Sequence, residues 1–170
     1  MYEKGEYVVY GQNGICLIQD VTELQMPGAE KSRLYYVLIP EMNGSNTIYI
    51  PVDNEKLTIR RILSEQEAQH LRSEIPQLEP LAIVTEKARE LEYKAAFRSC
   101  DCLQWARLIK TLYLRRQERL AQGKKMTSTD ERYLRQTEEC LYQELAMVCG
   151  VDKKALQEEI AAEIEGALSL

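Results

Sequence analysis

The chain has 170 residues, 45% of them hydrophobic and 29% charged, with a formal net charge of −5. This is ordinary globular composition, long enough for one domain or two small ones, and it excludes a chain that is disordered throughout. Apolar runs such as Tyr35–Ile39 and Leu81–Val84 stop far short of the roughly 18 residues of a membrane span, and Met1–Glu6 lacks the apolar stretch of a secretion signal, so a cytoplasmic protein with no membrane partner is expected.

The first third reads as strands. Glu6–Tyr10, Ile15–Ile18, Leu34–Ile39 and Thr47–Val52 are short, rich in β-branched and aromatic residues, and bounded by turn formers. Gly11-Gln12-Asn13-Gly14 predicts a tight reversal, Pro27-Gly28 breaks the second connection, and Asn43-Gly44-Ser45-Asn46 closes a hairpin. Four or five antiparallel strands in a small barrel of roughly 60 residues are expected.

Beyond Arg60 the periodicity becomes helical. Ser64-Glu65-Gln66-Glu67 has capping-box spacing and opens a short helix to about Ser73. Pro76 and Pro80 then interrupt it, which marks a linker. A basic helix is predicted from Thr85 to about Arg98, and a second from Asp101 to about Gln122, stopped by Gly123. Ser128-Thr129-Asp130-Glu131 has capping-box spacing again, with Leu134, Leu141, Leu145 and Val148 following to Gly150, and Asp152 caps a last helix bearing Leu156, Ile160 and Ile164. The fold class is therefore α+β, with a strand domain at 1–61, a short helix and Pro-containing linker at 62–80, and a compact all-helical domain at 81–170.

Charge is distributed unevenly. Residues 86–125 carry 11 basic groups against 5 acidic, whereas 126–170 carry 4 against 10. A basic block inside an acidic protein is a candidate polyanion footprint, and a set of solvated helix faces is the equal alternative.

Signals for chemistry are sparse. The lone histidine, His70, lies on a polar helix without a nucleophile signature or a ligand partner, and reads as a surface residue. Cys100-Asp101-Cys102 has no second pair at zinc-site spacing, and the odd, scattered cysteines Cys16, Cys100, Cys102, Cys140 and Cys149 give no disulfide framework. No phosphate-cradling glycine loop and no H-E-x-x-H occurs. No catalytic residue, metal, cofactor or small-molecule substrate is therefore expected.

The residues resemble one family in order along about 150 positions. Gly5-Glu6-Tyr7-Val8-Val9-Tyr10-Gly11-Gln12-Asn13-Gly14 is similar to the G-D-x-V-V-Y-P-x-x-G opening of the CarD/CdnL transcription regulators, with Glu6 for Asp and Gly11 for Pro. Tyr35-Tyr36-Val37-Leu38 resembles the family's Y-Y-V-L strand, Ile50-Pro51-Val52 its V-P-V, and Ile59-Arg60 its G-x-R. In the helical half, Leu114-Arg115-Arg116-Gln117-Glu118 resembles the R-R-x-x-E helix end, and Glu144-Leu145-Ala146 the E-L-A element.

The resemblance implies a Tudor-like β-domain, shared with transcription-repair coupling factors, that adds a strand edge to the β subunit of bacterial RNA polymerase. The matching strand is Thr47, Ile48, Tyr49 and Ile50. Many family members carry arginines near the positions of Leu24 and Tyr49, so a contact resting on packing and less sensitive to salt is expected here. The resemblance also implies that the helical domain holds upstream promoter DNA and modulates the open complex, with a tryptophan wedged at the minor groove. That wedge position falls near Thr85–Lys87, where there is no aromatic residue, and the only tryptophan, Trp105, sits at core spacing with Leu108, Ile109 and Leu112. What remains is cationic: Lys87, Arg89, Lys94 and Arg98, able to neutralise phosphates whatever the base sequence. The alternative to a polymerase- and DNA-bound regulator is a non-catalytic adaptor that makes no DNA contact.

Overall fold

The computed structural model describes residues 1–42, 46–56 and 58–168. It divides into two compact units, Met1–Ile62 and Leu63–Leu170.

The first unit is one antiparallel sheet. Its strands are β1 (Tyr7–Tyr10), β2 (Ile15–Glu23), β3 (Leu34–Pro40), β4 (Ile48–Pro51) and β5 (Ile59–Arg61), in the spatial order β4-β3-β2-β1-β5. Among the described residues β4 and β5 do not pair, so the expected barrel is an open sheet; edge strands of four and three residues offer few ladder bonds to hold a closure. Gly11 and Gly14, both at positive φ, make the reversal between β1 and β2. The predicted hairpin turn Asn43–Asn46 falls largely on residues 43–45, outside the described residues.

Strand β2 runs five residues past the predicted Ile18. The pairing register with β3 shifts between Ile18 and Asp20, which leaves Gln19 as an extra residue. That insertion inverts the two-residue alternation, so Val21 packs on the same face as Cys16 and Ile18. The core of this face is Val8, Cys16, Ile18, Tyr36, Leu38 and Ile50.

The second unit is helical: α1 (Glu65–Glu74), α2 (Glu86–Arg98), α3 (Cys102–Ala121), α4 (Ser128–Cys149) and α5 (Lys153–Leu168). Local signals set most of the boundaries. Ser64 and Glu67 form a reciprocal capping box, Thr85 caps α2 through the Ala88 N–H, Asp101 caps α3 through the Leu103 N–H, and Asp152 accepts from the Ala155 N–H. The α4 cap is Thr127, one residue before the predicted Ser128, because its hydroxyl accepts from the Asp130 N–H. Gly150, left-handed at φ 67°, terminates that helix.

Residues 74–80, read from sequence as linker, lie with Leu81 on α3 within this unit. Proline supplies carbonyls without N–H groups, and α3 provides the missing donors. Arg107 donates to the carbonyls of Glu79 and Pro80, Lys110 Nζ donates to that of Pro76, and the Leu81 N–H donates to the Thr111 hydroxyl at 2.8 Å. Among the described residues no helix is long and apolar enough to cross a membrane.

Candidate interaction surfaces

The edge strand β4 is the first surface. The Val52 N–H donates to the Leu34 carbonyl at 3.0 Å, and Ile50 and Ile48 continue the register opposite Tyr36 and Leu38. Antiparallel pairing alternates, so Ile48 and Ile50 turn their backbone groups towards β3 while Tyr49 and Pro51 turn theirs outward. Pro51 has no N–H, which suits an outward edge position, and its carbonyl is taken by the Asn54 N–H at 3.3 Å. Tyr49 is thus the residue of β4 whose N–H and C=O are both presented along the open edge.

Side chains on this strand alternate as well. Ile50 is buried in the core and Ile48 packs half-buried against it, whereas Tyr49 points to the opposite face and is 43% exposed. Thr47 is exposed and precedes the strand, so Thr47–Ile50 do gather at one edge. Leu24 does not join them. Val37 pairs with both Tyr49 and Asp20, so Leu24, one residue past the end of β2, lies beyond the far side of β3 from Tyr49, two strands (about 10 Å) across.

The second surface is α2. Tyr93, Ala96 and Phe97 are its buried face, and on the opposite side Lys87, Lys94 and Arg98 are exposed with Leu91 between them. The three cations span about 16 Å at 1.5 Å per residue. Arg89 lies on the other side. Its guanidinium donates to the Glu86 carboxylate at 2.8–3.2 Å and to the Tyr93 hydroxyl at 3.1 Å. Glu86 also accepts from Arg115 at 3.2 and 3.3 Å, and Arg115 stands 3.5 Å from the buried Asp130. Hydrogen bonding from Arg89, then the charges of both arginines, holds the Glu86 carboxyl below the usual carboxylate range.

The basic block is therefore smaller in space than in sequence. Arg107 and Lys110 hold the proline segment, Arg116 lies over the Tyr113 ring and beside Glu165, and Arg119 donates to the Lys125 carbonyl. With Arg89 and Arg115, six of the 11 cations at 86–125 are committed within the unit, both arginines of the R-R-x-x-E element among them. The wedge position is likewise built into the start of α2: Thr85 caps it, Glu86 bridges two arginines, and Val84 just before it is 89% exposed. Trp105 is fully buried.

Sequence reasoning gave Glu144 no role beyond its place in the E-L-A element. It is fully buried, with Oε2 accepting from the Leu63 N–H at 2.9 Å and Oε1 from Cys102 Sγ at 3.2 Å, so it ties α4 to the chain before α1 and to the first turn of α3. The signal was its spacing: a carboxylate three residues after Leu141 and one before Leu145 lies on the apolar face of α4. Glu144→Ala is expected to cost about 2–3 kcal/mol by leaving the half-buried Leu63 N–H without that acceptor, and Glu144→Gln less, as urea denaturation would measure.

His70 is exposed and pairs with Glu74 on its own helix. Among the described residues no group of three or more His, Cys, Asp or Glu side chains is placed to hold a metal ion. Residues 2–63, nearly the whole first unit, match the sequence family described as CarD-like/TRCF RID domain. That is 62 of 170 residues, and no curated protein matches the chain.

Proposed function

Because residues 2–63 belong to the CarD-like/TRCF RID family, we propose that this chain is a cytoplasmic bacterial transcription regulator whose Tudor-like sheet adds the β4 edge to the RNA polymerase β subunit. Its helical unit then holds promoter DNA and modulates the open complex, with no catalytic step of its own. The observation that carries this reading is that the family match falls on a unit whose edge strand presents the backbone of Tyr49 for pairing. Co-purification with the cognate polymerase is the direct test, and a full-length chain that fails to retain polymerase removes the reading.

For the DNA half, the supporting observation is the outward row Lys87, Lys94 and Arg98 on α2. Such a row neutralises backbone phosphates and reads no bases. Changing the three together to Gln is expected to weaken binding to every duplex alike and to reduce the salt slope by roughly one unit for each lost contact. A slope unchanged in the triple variant assigns α2 to solvent. The adaptor reading, polymerase binding without DNA, is favoured by the internal commitment of six of the 11 cations. A flat dependence of binding on salt in the wild type selects it.

A further inference from the structure

Arg89 and Arg115 come from different helices yet converge on one carboxylate. Glu86 accepts from Arg89 Nε and Nη2 and from Arg115 Nη1 and Nη2, all at 2.8–3.3 Å. The three side chains differ sharply in exposure: Glu86 is 67% exposed, while Arg89 and Arg115 are 19% and 18% exposed and lie beneath it. Two guanidinium forks held side by side repel one another, and a single anion above them relieves that repulsion. Their planar donor forks match phosphate oxygens as well as they match a carboxylate.

The other groups facing this spot limit what else stabilises it. Asp130, 2% exposed, stands 3.5 Å from Arg115 Nε, and the Tyr93 hydroxyl accepts from Arg89 at 3.1 Å. With Glu86 swung away, the two arginines outweigh Asp130 by one positive charge. Lys87 is exposed at the next position on α2, and the first turn of that helix adds its N-terminal partial charge. Glu86 itself is the first residue of α2, exposed on one side, so its side chain can leave without disturbing the buried face of Tyr93, Ala96 and Phe97.

We propose that Arg89 and Arg115 form a site for a nucleic-acid backbone phosphate that the Glu86 carboxylate occupies in the free protein, so that Glu86 is an internal competitor setting the strength of polyanion binding. This rests on the DNA reading above and adds its regulation. DNA must displace Glu86 before the arginine pair contributes, and the protein binds more weakly than its cation content allows.

The test uses the full chain and a fluorescent duplex over a salt series of about 50 to 200 mM. Glu86→Gln removes the charge while Arg115 keeps Asp130 and Arg89 keeps Tyr93. It is expected to bind about tenfold tighter, with a slope steeper by about one unit for the phosphate gained. Glu92→Gln, which removes an equal charge from an exposed position of the same helix, is expected to leave the slope unchanged, and Arg89→Gln added to Glu86→Gln should reverse the gain. Thermal melts of each variant establish that it is folded. Wild-type binding that Glu86→Gln leaves unchanged, or an equal gain from Glu92→Gln, overturns the competitor role alone. No duplex binding by either the wild type or Glu86→Gln overturns both this inference and the DNA reading.

Discussion

Trp105→Ala is expected to destabilise the helical unit by about 4 kcal/mol, a large part of the roughly 5–15 kcal/mol that holds a domain folded. The indole is fully buried on α3, among the largest side chains in that core with Tyr93, Leu108, Ile109 and Leu112. It is also a hydrogen-bond donor. Nε1 donates to the Phe97 carbonyl at 2.9 Å, and Phe97 is the penultimate residue of α2, where carbonyls have no partner within their own helix. Truncation therefore opens a cavity and leaves a helix-end carbonyl without that donor. Far-UV circular dichroism should show the melting temperature falling by on the order of 15 °C, whereas Trp105→Phe, which keeps most of the packing and loses the bond, should fall much less. A melting temperature unchanged in the alanine variant would mean that the indole is not part of the core, and would return it to consideration as a surface residue.

Much of the fold could be read directly because local rules dictate it. Strands β1, β3 and β4 follow from runs of β-branched and aromatic residues, and the caps Ser64, Thr85, Asp101 and Asp152 sit where their short polar side chains reach the N–H groups of a first turn. The misreadings have equally local causes. The tail of β2 was hidden because Gln19 breaks the alternation on which strand reading depends. The α4 cap slipped by one because Thr127 and Ser128 each stand three residues before an acidic side chain.

The candidate sites were less legible because they depend on pairings across long stretches of chain. The i,i+3 spacing of Glu86 and Arg89 is visible in sequence, but the Arg115–Glu86 bond spans 29 residues and the Leu63–Glu144 bond 81. Such bonds decide which cations of a basic block are spent inside the protein. Likewise Leu24 and Tyr49, joined in the sequence reading by resemblance, lie two strands apart once the register is fixed.

The edge geometry gives the proposed polymerase contact its sharpest test. Tyr49→Asp is expected to weaken binding to the isolated β-subunit lobe tenfold or more, a loss of at least about 1.4 kcal/mol. Ile48 and Ile50 are poor sites for such a test, since both pack on the core face and a charge there would damage the sheet itself. Tyr49 stands on the other face, 43% exposed beside Val37, and carries the backbone groups that an incoming strand would bond. An aspartate at that position keeps its water while the edge is open, and must give it up against a neighbouring strand when the edge is paired. Tyr49→Phe keeps the packing area and should bind as the wild type does. Because the wild-type residue is uncharged, the affinity should also change little between low and high salt, in contrast to the duplex titrations. Unchanged affinity of Tyr49→Asp, with a circular dichroism spectrum matching the wild type, would remove strand addition at β4 from the proposal and direct attention to the opposite edge at β5.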